Sequence, residues 1–598
     1  MKKPVAWVSM FVFTLLLGLP DTAEGGQAKG AKKETQKGTA TIDDWVKRCA
    51  KGVPEIKVQR RILEKANKAQ RAQDIAESLR IKIEVATKIL HARDSHSPFG
   101  FHEFGRFWEP IPVRVREVIL EGFQHSVMGH WNVPINLPDD SHAPVHAALL
   151  KNGHVLFITH GEGDTYLWNP DDPTAFYAPD NQPTENLYCS GHAFLSDGRL
   201  FAVGGGGSSG GNALDTAWVF DRDGGTDGEW APIPQNMKYK RWYPTVLSLG
   251  GRRMLIVGGY PNHAKVEIFH EQTSATNRFE EVSLTPPANF VQMYPGLHLM
   301  PNGQIFNTPT GFGNMGSSNW SSTNLPTDAR RLTLSSATPP SGTWGELAPG
   351  VTMDSPNRVK GMSASIFLGP LGGSYITKVL VAGGYGTNTA EIVDFSSGTP
   401  SWTSTVPLPG NGRNNVNLVL LPNGTALVCG GATPAGTAVK NCAIYDPYST
   451  SNTWQPMDGL TYKRAYHSVA LLLPSGQVMV AGVDHKSIEV FNPPYWYASR
   501  PDITTFPSVI HHGQTFEVTS PQAADIDRVV LVRPMAVTHQ TDTEQRVVGL
   551  QKTSSGTTLT VLAPNGSHPH PLAPRGHYML FLVNGQGVPS KGKFVWLH

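Results

Sequence analysis

A two-residue turn containing glycine recurs seven times along this chain, at Asn152-Gly153, Asp197-Gly198, Gly250-Gly251, Asn302-Gly303, Gly372-Gly373, Asn423-Gly424 and Ser475-Gly476. The first residues of successive turns stand 45, 53, 52, 70, 51 and 52 positions apart. Asn-Gly and Asp-Gly accept the positive φ angles of tight hairpins, so each turn joins two antiparallel strands. An apolar run leads into each turn and another follows it. The second run often closes on glycines, at Gly204-Gly205, Gly258-Gly259, Gly383-Gly384 and Gly430-Gly431, with Ala481-Gly482 a weakened copy. A tryptophan marks the fourth strand at Trp230, Trp344, Trp402 and Trp454. Seven units of four strands predict a kelch-type, seven-bladed β-propeller over residues 101–499. The interval of 70 holds an insertion, roughly Gly311 to Asn357, expected in surface loops.

After Pro493-Pro494-Tyr495 the repeat stops. Residues 500–598 carry alternating strands of another rhythm, such as Thr515-Phe516-Glu517-Val518 and Tyr578 to Val583, and read as an immunoglobulin-like β-sandwich. The predicted class is therefore all-β, which the 61 glycines, the 47 prolines and a charged fraction of 16% suit. Ahead of the repeat, Lys2-Lys3 and the apolar run Val5 to Leu19 make residues 1–25 a signal peptide or anchor. The expected location is thus secreted, periplasmic or at the cell surface, with no membrane contact beyond that anchor. Residues 26–100 read as a Lys/Gly/Thr-rich linker followed by a short helical segment, a cap or attachment element. A net charge of +2 and the absence of a basic, aromatic-laced patch exclude nucleic acid as a partner. A monomer is expected.

Four cysteines are too few for a disulfide scaffold. Cys429 and Cys442 flank one predicted hairpin and can pair across it, and Cys49 has no evident partner. Cys189 then needs another reason to be there. In a propeller the innermost strands begin at one mouth of the central channel, so residues equally far ahead of the first turn converge. Cys189 lies eight positions before Asp197, Tyr243 seven before Gly250, Tyr466 nine and His467 eight before Ser475. Blades two, three and seven thus deliver a thiol, two phenols and an imidazole to one rim. A lone histidine or tyrosine in a propeller is usually a core residue, and His192 is read that way. Matching registers across three blades resist that reading. Nitrogen and oxygen donors in this mix suit Cu(II), and nothing matches structural zinc spacing, a P-loop or a dinucleotide fingerprint.

Four motifs then resemble one family: Asn186-Leu187-Tyr188-Cys189-Ser190-Gly191, Arg241-Trp242-Tyr243-Pro244-Thr245, Arg464-Ala465-Tyr466-His467-Ser468, and Thr538-His539 followed by Glu544-Gln545-Arg546. From about residue 140 onward the chain resembles the galactose oxidase and glyoxal oxidase group of secreted copper-radical oxidases. The resemblance implies one copper ion held by Tyr243, Tyr466, His467 and His539. It implies a Cys189–Tyr243 thioether that carries the radical, with Tyr466 as axial ligand and proton acceptor. It further implies O2 as oxidant, a small aldehyde or primary alcohol as substrate, and H2O2 as product. Galactose oxidase stacks an indole over its thioether from just after the third Gly-Gly, whereas this chain has Tyr260-Pro261-Asn262-His263 there, making Tyr260 and His263 candidates for that shield. In place of a sugar-binding arginine it has Met293-Tyr294-Pro295-Gly296, closer to the glyoxal oxidase pattern. Arg358, Arg413 and Asn414 fall near the same rim by register in blades five and six, and together with Tyr260, His263 and Tyr294 they are expected to line the substrate pocket. The competing reading is a non-catalytic kelch propeller that binds a glycan or protein at the cell surface.

Overall fold

The computed structural model describes residues 124–598, except 139–142, 161–163, 207–211, 273–277, 288–290, 292, 309, 312–328, 336–337, 347–361, 372–373, 385, 396–399, 450 and 566–570. The predicted signal, the linker and helical segment, Cys49, Arg358 and most of the insertion lie outside the described residues. From His130 onward the protein is a seven-bladed β-propeller followed by a C-terminal β-sandwich.

Each blade is an antiparallel meander whose first strand lies innermost. Blade two shows the pattern, with Gly191–Phe194, Leu200–Val203, Ala217–Asp221 and Glu229–Pro232 in spatial order. The first strands of the other blades are Pro144–Leu149, Arg241–Gly250, Gly296–Leu299, Met362–Leu371, Asn417–Leu420 and Ser468–Leu472. These strands read as nearly continuous apolar runs because both of their faces are covered by neighbouring blades. Blade seven supplies only three strands of its own, and His130–Trp131 from the start of the unit completes it, pairing with Phe491 and Asn492.

The Gly-Gly pairs hold blade to blade. The N–H groups of Gly205, Gly384 and Gly431 donate to the carbonyls of Arg241, Arg413 and Arg464 on the following blades, at 2.9, 3.0 and 2.7 Å. Gly204, at φ +65°, shows why glycine is needed, since a Cβ there would meet the Arg241 carbonyl oxygen at 2.4 Å. The fourth-strand tryptophans make a second tie. The indole N–H of Trp230 donates to Thr165 of blade one, and that of Trp454 to Thr405 of blade five. Cys429 and Cys442 are buried thiols directly opposite each other on neighbouring strands of blade six.

In the C-terminal sandwich, Val547–Ser555 pairs with Ile526–Val532 through its first half and with Thr558–Leu562 through its second, so one long strand serves both sheets. The run Tyr578 to Val583 divides by face. Tyr578, Leu580 and Leu582 enter the sandwich core, while Met579, Phe581 and Val583 pack into the propeller core. Burial on both faces joins the two domains through one sheet.

A hairpin from the sandwich, residues 536–546, runs into the propeller channel. Ala536–Thr538 pairs with the innermost strand of blade one. Thr543 then bonds the Val246 carbonyl of blade three, Glu544 the Phe194 N–H of blade two, Gln545 the Leu418 and Leu420 backbone of blade six, and Arg546 the Leu299 carbonyl of blade four. Gln540 reaches blade seven. The hairpin is an axle to which six blades are tied.

Candidate active site

The backbone prepares the site before any side chain does. Cys189, Tyr243, Tyr294, Asn415 and His467 adopt φ of +60°, +63°, +46°, +57° and +66°, a left-handed conformation costly to residues with a Cβ. Four stand just ahead of an innermost strand, on blades two, four, six and seven, and Tyr243 stands at the start of that of blade three. All but Tyr243 fall eight positions before their turn, so His467 rather than Tyr466 is the register equivalent of Cys189. Three of these side chains, Cys189, Tyr243 and His467, gather around His539. Backbone bonds link Cys189, Tyr243 and Tyr294 in sequence: Tyr243 N–H donates to the Cys189 carbonyl at 3.0 Å, and Tyr294 N–H to the Tyr243 carbonyl at 2.8 Å.

Cys189, Tyr243, Tyr466, His467 and His539 come together at this point. The Tyr243 and Tyr466 hydroxyls hydrogen-bond each other. Cys189 Sγ lies 3.6 Å from His539 Nε2, among the side chains of Tyr243, Tyr188 and Trp242. The donor atoms of Cys189, His467 and His539 all lie within 4.8 Å of one another, close enough to share one metal ion. The Tyr243 ring sits 4.7 Å from that of His539, and the His467 ring 4.5 Å from it. Four of the five are buried, and only Tyr466 is partly open.

The electrostatics are those of a site built for a cation. Burial holds His467 neutral, with its pKa down to about 3, and pushes His539 well below the ordinary histidine range. Neutral imidazoles keep the lone pairs that a metal needs. Burial raises the Tyr243, Tyr466 and Cys189 pKa values, so the anions are disfavoured until a positive charge arrives. His539 is also oriented. The Thr538 hydroxyl donates to the Val145 carbonyl, so it accepts from His539 Nδ1–H at 2.7 Å and leaves the Nε2 lone pair facing the site. Gln540 fixes the other side, since its amide donates to the Ala465 and Ser468 carbonyls at 3.0 and 2.7 Å, bracketing Tyr466-His467.

The expected pocket residues fare differently. Arg413 is fully buried, and its guanidinium donates to the carbonyls of Gly430, Asn441 and Pro409. It occupies the same repeat position as Arg241 and Arg464, so register marked it for an architectural reason and it cannot line the pocket. Tyr294 is likewise buried, its ring 4.6 Å from Tyr243 and its hydroxyl bonded to the Ser190 carbonyl, which makes it a support beneath the site. Asn414 is tied by backbone bonds to Ala432. Tyr260 is partly buried and packs on the cluster that contains Trp242 and Tyr243, and His263 is partly buried nearby in sequence. Four neighbours escaped sequence reasoning. Tyr188 Oη lies 3.3 Å from His467 Nε2. The Trp242 ring meets Tyr243 edge-on at 4.3 Å, His146 binds the Cys189 backbone, and Gln540 holds the Tyr466 loop. Tyr188 and Trp242 sit beside residues already marked, whereas His146 and Gln540 carry no periodic signal.

Comparison with known proteins now gives the affiliation. The family model "Glyoxal oxidase N-terminus" matches residues 181–497, more than half of the chain. The chain belongs to the glyoxal oxidase family. It is by that membership an oxidoreductase. The model "Galactose oxidase-like, Early set domain" matches residues 500–597. Among curated relatives, a WSC domain-containing protein of Arthroderma benhamiae is 26% identical over 69% of this chain, which spans only 46% of that protein's length. Aldehyde oxidase GLOX of Vitis pseudoreticulata is 26% identical over 69% of this chain and 82% of its own. A fungal alcohol oxidase of the AA5 family, solved in complex with copper, shares the fold with a TM-score of 0.64 and 22% identity, over 79% of this chain and 99% of that one.

Proposed function

We propose that this chain is an exported copper-radical oxidase that oxidises a small aldehyde or simple primary alcohol with O2, releasing H2O2. The observation that carries the reading is the convergence of one thiol, two phenols and two neutral imidazoles at one mouth of the channel. Two phenols sharing a hydrogen bond beside neutral imidazoles fit a metal dication, and a mixed nitrogen and oxygen set fits Cu(II). Tyr243, Tyr466, His467 and His539 would hold the ion. When bound, copper supplies a Lewis acid and an acceptor for one electron.

The rest follows from the residues themselves. Tyr466, the member open to the mouth, takes the proton of the substrate hydroxyl, or of the hydrate formed by an aldehyde, at its phenolic oxygen. Tyr243, oxidised beforehand by O2 to its phenoxyl radical with loss of one electron and one proton, would accept the hydrogen atom from the adjacent carbon and supply the second one-electron site. Cys189, joined to its ring, spreads the unpaired electron onto sulfur. Each turnover moves two electrons and two protons from substrate to O2, so an alcohol becomes an aldehyde, or an aldehyde hydrate an acid, and H2O2 leaves. The Lys2-Lys3 and Val5 to Leu19 pattern supports export.

The test is peptide mass spectrometry before and after copper loading under air. A Cys189–Tyr243 peptide pair lighter by two hydrogens is expected, followed by peroxide release from small aldehydes or alcohols. A Cys189 thiol still open to alkylation in copper-loaded, aerated protein refutes the oxidase and favours a binding propeller.

A further inference from the structure

Two buried histidines lie beneath the site and have no part in the chemistry above. His146 stands on the innermost strand of blade one and His192 on that of blade two, 1% and 5% exposed. The Cys189 backbone N–H donates to His146 Nε2 at 3.1 Å, and His146 Nδ1 lies 3.0 Å from His192 Nε2. These contacts fix the protons. A backbone N–H can only donate, so His146 Nε2 must hold its lone pair and His146 must carry its proton on Nδ1. That proton goes to His192 Nε2, which places the proton of His192 on its own Nδ1. The chain of bonds therefore has one direction, from the Cys189 amide through His146 to His192. Burial keeps both rings neutral, as this pattern requires.

Cys189 needs such a hold. It sits at φ +60° although it carries a Cβ, a conformation that relaxes unless its surroundings fix it. Its carbonyl is held from blade three by Tyr243 N–H, and its N–H from blade one by His146. Release of either end lets the thiol turn away from the Tyr243 ring.

We infer that His146, oriented by His192, is a positioning residue that sets Cys189 for closure of the thioether to Tyr243. The inference rests on the oxidase reading. In the closing step one S–H and one ring C–H bond break and one C–S bond forms. Two electrons and two protons pass to O2, giving H2O2. His146 takes no proton in that step and acts only by fixing the backbone that carries the sulfur.

The test has two arms, run on full-length protein with His146→Leu, which fills the space without a lone pair, and His146→Gln, which keeps an acceptor. The first arm follows amide hydrogen exchange at Cys189 in copper-free protein. His146→Leu is expected to raise the exchange rate about tenfold, the equivalent of one lost hydrogen bond, and His146→Gln to restore much of the protection. The second arm times the loss of two hydrogens after copper is added under air, with roughly tenfold slower closure expected in His146→Leu and a partial return in His146→Gln. Unchanged exchange, or faster exchange with unchanged closure, overturns the inference. Wild-type protein that never closes the bond overturns the oxidase reading instead, and the exchange arm still decides whether His146 holds Cys189. Should His146→Leu not fold, His192→Leu decides on the same two readings. It removes the acceptor that orients His146, and should shift both in the same direction by a smaller factor; no shift overturns the inference.

Discussion

At Cys189, Tyr243 and His467 the chain places residues with a Cβ where a positive φ costs about 1–2 kcal/mol apiece, and it does so on three blades at once. A fold would shed that strain unless it were tied to function, and here it aims the side chains at one another. Tyr466 differs from its neighbours. It stands one residue ahead of the strained position, is the most exposed of the set, and hydrogen-bonds Tyr243. Tyr466→Phe should therefore fold normally and keep its copper, while kcat falls roughly 10²- to 10⁴-fold, the range for loss of a general base. Copper content by metal analysis and initial rates of peroxide release check this together. Near-normal turnover would remove Tyr466 as the proton acceptor.

The channel hairpin explains how a residue so far along the chain as His539 reaches a site made by blades. It also explains the limits of sequence reading. The turns and Gly-Gly pairs recur, so blades and rim register could be read directly from the sequence. The hairpin occurs once, has no period, and entered only through the likeness of Thr538-His539 and Glu544-Gln545-Arg546 to a family. Gln540 was invisible for that reason, His146 because no other blade repeats a histidine at its position on the inner strand, and Arg413 misled because an architectural repeat shares the rim's register. Gln540→Ala should remove the side-chain bonds to the Ala465 and Ser468 carbonyls and loosen Tyr466-His467. Copper affinity is expected to fall about 10- to 100-fold in a chelator competition, as for other residues that orient metal ligands. Unchanged affinity would show that the loop holds itself.

Asp542, in the same hairpin, offers a pH test. It is buried, one oxygen accepts from Glu544 N–H, and burial pushes its pKa up to about 8 against an ordinary 3.8. A raised folded pKa means that the folded state binds the extra proton. The stability this gives is complete below about pH 4 and is lost as pH climbs toward 8. Asp542→Asn cannot ionise, so its unfolding midpoint should drift less between pH 5 and 8 than that of the wild type. The gap between the two slopes corresponds to on the order of a few kcal/mol. The amide changes the local hydrogen bonding as well as the charge, so the slope rather than the absolute midpoint carries the test, and parallel curves would place the titration elsewhere.

At the scale of the whole molecule, two distant segments close what the repeat leaves open. The sandwich sends its hairpin down the axis, and His130–Trp131 supplies the outermost strand of blade seven. Trp131 does most at the second closure. It is 4% exposed, its indole N–H donates to the Asp458 carbonyl of blade six at 2.9 Å, and its ring packs on Phe491 at 5.0 Å. Trp131→Ala removes a buried indole and its hydrogen bond, a change that costs about 3–5 kcal/mol in a packed core. The loss falls at the seam between first and last strands, so unfolding should begin there, with a lower apparent midpoint and faster protease cleavage near residues 487–492. The site lies at the other end of the blade, on innermost strands pinned by the hairpin rather than by the seam. Copper affinity measured well below the transition should therefore match the wild type even as the midpoint drops. A parallel loss of copper binding would mean that the strand at the rim and the ligands at the axis form one cooperative unit, and that the axle does not hold the site independently of ring closure.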